Sequence, residues 1–92
     1  MANLDIQKPL IFKVAIASPL YQLFDYLAPV NVERNQVELG ARVVVPFGIG
    51  NHRKVGYLVE VADDSEWAFN KLKRVDRIID AHSLLSATNL AL

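Results

Sequence analysis

Few residues in this sequence have the type and spacing to do chemistry, and Asp25 in the run Phe24-Asp25-Tyr26-Leu27-Ala28-Pro29 is the first of them. A carboxylate between two aromatics is an unusual choice for a plain core strand. It can accept a hydrogen bond from a hydroxyl or a base donor. It can equally be a solvent-facing carboxylate on an edge strand, paired with a neighbouring arginine. Phe24 and Tyr26 are expected on opposite sides of their strand, one in the core and the other exposed. Gly48 closes the second informative run, Arg42-Val43-Val44-Val45-Pro46-Phe47-Gly48. Glycine accepts a positive φ and leaves its backbone open to close approach by a ligand. Arg53 and Lys54 flank a glycine-rich loop and could touch phosphate, although turn solubility explains them equally well. Lys73 reads on residue type alone as a solvated lysine.

Catalytic and metal chemistry find little support. No phosphate-binding loop and no dinucleotide-binding glycine pattern occurs, because Gly48-x-Gly50 lacks a third glycine and a following helix. Ser18, Ser65, Ser83 and Ser86 have no nearby histidine and carboxylate that sequence could assign to them. The chain has no cysteine, which excludes a disulfide frame and a thiolate metal site. Its two histidines, His52 and His82, lack ligand spacing.

Charge narrows the class of partner. Ten Lys and Arg balance ten Asp and Glu, for a formal net charge of zero. A protein that grips long duplex through phosphates is normally basic, so any nucleic-acid contact here should be local. The balance is uneven along the chain: Asp63, Asp64 and Glu66 make an acidic bend, and Lys71, Lys73, Arg74 and Arg77 follow it. No stretch approaches the ~20 apolar residues of a membrane span, and Lys8 and Lys13 break the N-terminal apolar run as no signal peptide would allow. A cytoplasmic protein is expected.

The elements that must position these residues are short strands. Ile11 to Ala17 alternates, with Phe12, Val14 and Ile16 on one face and Lys13 on the other. Leu23 to Leu27 is a second strand, ended by Pro29. Arg42 to Val45 is a third; Pro46 has no N–H to donate, so the strand ends or meets an edge there. Lys54 to Ala62 is the clearest strand, with Val55, Tyr57, Val59 and Val61 on one face. Gly56, on the other face, allows a bulge, a bend or a close backbone approach. Lys71 to Asp80 fits either helix or strand, and its β-branched residues favour strand. Ser65 to Phe69 is expected to make a helical turn with Ser65 as its cap. A lead-in over residues 1–10, a β-domain over 11–80, and the start of a linker or helix over 81–92 complete the division, the last leading toward a longer protein. The fold class is therefore mainly β: a small barrel or OB-like sheet with short helical turns.

Taken in order, four blocks resemble a known family. They are Phe24-Asp25-Tyr26-Leu27-x-Pro29; Gly40-x-Arg42-Val43-x-Val45-Pro46-Phe47-Gly48; Arg53-Lys54-x-Gly56-Tyr57-x-Val59; and Leu72-Lys73-x-Val75-x-x-Ile78-Ile79-Asp80. Their order and spacing, over roughly Ile11 to Asp80, resemble the N-terminal domain of primosomal protein N′ (PriA), the bacterial replication-restart helicases. The resemblance implies a module that binds the 3′-OH end of a nascent leading strand at a stalled fork, without catalysis of its own. It implies that the terminal nucleotide sits among Phe24, Asp25, Gly48 and Lys73. It also implies forked DNA, single-stranded DNA-binding protein and primosome proteins as partners of the longer protein. ATP and zinc are implied for that longer protein alone, and no cofactor for this segment. The stretch Val30 to Leu39, the loop Ile49 to Arg53 and the lead-in are longer than is usual in the family. Apart from the resemblance, a protein-interaction β-barrel that docks through its Pro-Phe-Gly loop fits the same residues.

Overall fold

The computed structural model describes residues 9–80. The expected lead-in and the expected helix start over 81–92 therefore lie, apart from Pro9 and Leu10, outside the described residues. Five strands form one antiparallel sheet: β1 (Ile11–Ala17), β2 (Tyr21–Leu27), β3 (Arg42–Pro46), β4 (Arg53–Ala62) and β5 (Arg77–Ile78). Their order across the sheet is β2-β1-β4-β3-β5. The mainly-β, OB-like architecture expected from the sequence is the one the chain adopts, although no full ladder closes the sheet into a barrel. Its two ends are joined instead by one parallel bridge, Leu27 with Arg74.

Alternation sets the core. Phe12, Val14 and Ile16 of β1 are fully buried, together with Val43 and Val45 of β3 and Leu58 of β4. Side chains two apart on a strand share a face, so these residues meet across the curled sheet in one cluster with Tyr26, Ala28 and Val75. The short turn from β1 to β2 contains a cis Ser18–Pro19 peptide. β3 ends where its proline removes the next donor, as expected, with Pro46 opposite Arg53.

Strand β4 departs from the expected alternation. Lys13 of β1 faces Glu60, but Val14 faces Leu58, so Val59 is an extra residue without a partner in β1. This bulge resets the faces of β4. Gly56 and Leu58 are buried on the core side before it, and Val61 packs against the core after it. Val55, Tyr57 and Val59 turn outward and are exposed. The four apolar residues expected on one face thus divide between two. Gly56 is the close approach anticipated for it: an added Cβ would lie 2.5 Å from Val14 Cγ1 and 2.8 Å from the Ala15 carbonyl oxygen.

The segment read as helix or strand is extended and forms only the two-residue strand β5, with Val75 buried just before it. The helical turn falls later than expected, as a 3-10 turn over Phe69–Lys71 capped at Ala68. Ser65 instead accepts the N–H of Trp67 at its Oγ, at 3.1 Å. A second 3-10 turn, Arg34–Gln36, lies in the long β2–β3 connection.

Arg42 and Asp80 clamp the end of β5 to β3. The guanidinium donates to both carboxylate oxygens at 2.9 and 2.8 Å, and the Arg42 N–H donates to Oδ2 at 3.0 Å. The guanidinium hydrogen bonds, then the backbone one, hold the Asp80 carboxyl down from its usual 3.8 to about 2.

Two outcomes follow from this packing. Gly56→Ala forces its new methyl into Val14 and the Ala15 backbone, and overpacking of this kind costs about 1–3 kcal/mol; urea unfolding should show a lower midpoint at unchanged slope. The Asp80 carboxylate has a lowered pKa, so its contribution is present above about pH 4 and is lost as the pH falls toward 2. The melting temperature of wild type should exceed that of Asp80→Asn modestly at neutral pH, and the difference should vanish as the pH is lowered through that window. A difference independent of pH would contradict the clamp.

Candidate functional site

A cleft of about 640 Å³ opens at the free edge of β2, between that strand, the Pro46-Phe47-Gly48 turn and the segment from Glu66 to Lys73. Phe24, Asp25, Gly48 and Lys73, far apart in sequence, all line it. Three features bring them there. β2 pairs with β1 on one side only, leaving its other edge to the cleft. Pro46 ends β3 and turns the chain outward. The Lys73–Val75 segment then returns to the end of β2, where the Leu27 N–H donates to the Lys73 carbonyl at 2.8 Å and the Val75 N–H donates to the Leu27 carbonyl at 2.9 Å.

The aromatic residues form the cleft wall. Phe24 lies opposite Val14, and Tyr26 opposite Phe12, on the core face of β2. The expected division of Phe24 and Tyr26 between opposite faces is incorrect, because residues two apart in a strand point the same way. Phe24 meets Phe47 edge-to-face, with ring centroids 5.2 Å apart, a favoured aromatic geometry. The Tyr26 hydroxyl donates to the Pro46 carbonyl at 2.8 Å, tying β2 to the turn. Burial pushes this phenol up from 10.0 to about 12.

Asp25 points to the other side of β2. Its side chain is only 11% exposed. Lys13, directly opposite on β1, donates to Oδ1 at 3.1 Å and to Oδ2 at 3.3 Å. The Ser65 hydroxyl also donates to Oδ2. The edge-strand carboxylate therefore has a lysine partner in place of the arginine considered from sequence. A carboxylate offers about four lone-pair sites, so Oδ1 retains capacity to accept from a ligand.

Gly48 has φ +82°, a conformation that L side chains rarely adopt, and a Cβ built on it would meet nothing within 4 Å. Its role in the turn is therefore conformational, and the space above it is open. Lys73 Nζ donates to the Gly48 carbonyl at 3.1 Å, which places the ammonium at the turn. Lys54 Nζ sits 5.2 Å from the centre of the Phe47 ring, in cation–π range. Arg53 lies outside the cleft lining and is ion-paired with Asp76. Trp67, 58% exposed and lining the cleft, was not expected there. The signal for it was a lone tryptophan between an acidic bend and a basic run, where a buried core position is improbable. Among the described residues no group of three His, Cys, Asp or Glu could hold a metal ion, and no helix is long and apolar enough to cross a membrane.

Tyr26→Phe removes the bond to the Pro46 carbonyl and should cost about 1 kcal/mol of stability, measured by urea unfolding. The raised pKa means that stability from the protonated phenol is full below about pH 10 and is lost as the pH rises toward 12. The ultraviolet phenolate titration of Tyr26→Phe should lack the last component seen in wild type.

The family model described as "3'DNA-binding domain (3'BD)" of PriA matches residues 13–92. The chain is 34% identical over 76 residues to the replication restart protein PriA of Haemophilus influenzae, covering 83% of this chain and 10% of that protein. The chain thus spans about a tenth of the length of that relative. With its OB-like sheet and a family match across the β2 edge, the Pro-Phe-Gly turn and Lys73, this chain belongs to the PriA 3′ DNA-binding domain family.

Proposed function

We propose that this domain recognises the 3′-OH end of a nascent leading strand at a stalled replication fork, and so directs a replication-restart helicase to it in the cytoplasm. In this reading the domain is not itself an enzyme and needs no cofactor. The observation that carries it is the convergence of Phe24, Asp25, Gly48 and Lys73 on one cleft. Forked DNA is the direct partner; single-stranded DNA-binding protein and primosome proteins are partners of the longer protein.

The chemistry assigns a task to each group. Asp25 accepts the terminal 3′-hydroxyl on its remaining lone pair. A 3′-phosphate, or the phosphodiester of an internal nucleotide, would bring negative charge against that carboxylate, and Lys13 offsets this only in part. Lys73 neutralises the phosphate on the 5′ side of the terminal sugar. Phe24, held edge-on by Phe47, supports the cleft by packing, while Trp67 offers an open face for the base. Stacking of this kind contributes roughly 1–3 kcal/mol per base. Lys54, outside the cleft lining but over the Phe47 ring, is a further phosphate contact, and Arg53 could join it only by exchanging its partner Asp76. A neutral chain suits this work, because reading one nucleotide requires no basic stripe.

A second reading, a protein-interaction module, draws on the outer face of the sheet. Tyr21, Leu23, Val55, Tyr57 and Val59 are all exposed there, with the Tyr21 and Tyr57 rings 6.5 Å apart.

Fluorescence anisotropy with partial duplexes that differ only in a 3′-OH or a 3′-phosphate separates the two. Wild type should bind the 3′-OH end more tightly. Asp25→Ala should lose about tenfold on that end, the loss expected for a hydrogen bond to a charged group, and much less on the 3′-phosphate end. Asp25→Asn, which keeps an acceptor without the charge, should bind the two ends more equally. Equal weak binding of both ends by wild type would move the interaction reading to first place.

A further inference from the structure

A second cleft, of about 630 Å³, lies at the far end of β2 and belongs to none of the residues assigned above. Leu10, Pro29 and Val32 supply apolar lining, and Arg34, Arg74 and Glu33 supply charge. Both guanidiniums are fixed by backbone carbonyls. Arg34 Nη1 donates to the Val61 carbonyl at 3.0 Å, and Arg74 Nη1 donates to the Ala28 carbonyl at 2.6 Å. No salt bridge among the described residues involves either one. A guanidinium has five N–H donors, so each keeps most of its donors for a ligand. Two arginines against Glu33 leave the lining net positive.

The position of Arg74 relates this cleft to the first. Lys73 and Arg74 are consecutive residues in the extended segment that bridges to Leu27. Consecutive side chains of such a segment point to opposite sides, and Lys73 lines one cleft while Arg74 lines the other. A terminal 3′ nucleotide has one covalent neighbour, through its 5′ phosphate, so its strand can leave in only one direction. Arginine matches phosphate through paired N–H donors better than lysine does.

Resting on the end-binding reading above, the geometry points to Arg34 and Arg74 as a second phosphate site. It holds the backbone of the same strand as that strand runs 5′-ward from the terminal nucleotide across the Lys73–Val75 segment. The domain then measures a short tract behind the end as well as the end itself. The length of the β2–β3 connection, which carries Arg34, has a use in this arrangement.

The test uses the 92-residue chain with 3′-OH single strands, a dinucleotide and a longer oligonucleotide, titrated by anisotropy across a range of salt. Wild type should gain affinity on lengthening. Arg34→Gln/Arg74→Gln should lose most of that gain, and the slope of log K against log salt on the longer strand should become shallower by about 0.7 for each phosphate contact removed. Its preference for 3′-OH over 3′-phosphate should remain. Arg34→Lys/Arg74→Lys should restore the salt slope, which a merely structural role for the two side chains would not predict. Arg34→Gln alone, in an exposed turn, should give half the change if the double variant folds poorly. An unchanged slope in the glutamine variants overturns the second site even when end preference stands. Absence of end preference in wild type overturns the end reading separately, while the slope still decides whether these arginines hold phosphate.

Discussion

Two backbone hydrogen bonds, those between Leu27 and the Lys73–Val75 segment, are the constraint on which the rest of the molecule depends. Without them the chain is an open five-stranded sheet with β2 at one end and β5 at the other. With them the sheet curls until its ends meet, and the core gains a wall, because Val75 is buried as the segment docks. The segment continues directly into β5, where Asp76 donates its N–H to the Val44 carbonyl at 2.8 Å and Ile79 donates to the Arg42 carbonyl at 2.8 Å. One short stretch thus pairs with both ends of the sheet. The functional consequence is local: Lys73 reaches Gly48 only because its backbone is held against β2.

The electrostatics of the site follow from the same closure. A carboxylate at 11% exposure needs partners, since an ionised group taken from water without them is costly. Lys13 comes from the β1–β2 register and Ser65 from the chain leaving β4. Asp25 is therefore oriented before any ligand arrives. Two further cations are likewise held by the fold: Lys73 on the Gly48 carbonyl and Lys54 above the Phe47 ring. Charge is concentrated where the fold holds it, which is why zero net charge is compatible with binding an anionic polymer.

Much of this was legible in the sequence, for physical reasons that also mark where legibility ended. Alternation in Ile11–Ala17 and the proline at 46 act through a strand's own geometry, and both strands lie where that geometry puts them. The bulge at Val59 depends on how β4 pairs with β1, which no window of β4 alone contains, and it moved Val61 to the core face. The two-residue β5 is strand because β3 offers it a partner, so its own ambiguous pattern could not decide. Asp25, Gly48 and Lys73 could be named from their motifs, yet that Asp25 takes Lys13, and that Lys73 takes the Gly48 carbonyl, required the register and the bridge. The arginine cleft was missed because long-range placement leaves little trace in residue type.

The fold also separates residues that hold shape from residues left free to bind. Phe24, Tyr26 and Phe47 are engaged with one another and with Pro46, so moving any of them disturbs the turn that carries Gly48. Trp67 and Lys71 line the same cleft from beyond the last long strand, on a segment without regular strand pairing. The rigid wall is thus built on strands, and the contacts opposite it are built on the connection. Positioning accuracy is best on strands, and adaptability is cheapest on loops. Under the proposed end-binding role that division would be useful: a sugar hydroxyl would need one fixed acceptor, whereas a base of varying identity would need a stacking surface that tolerates any of them.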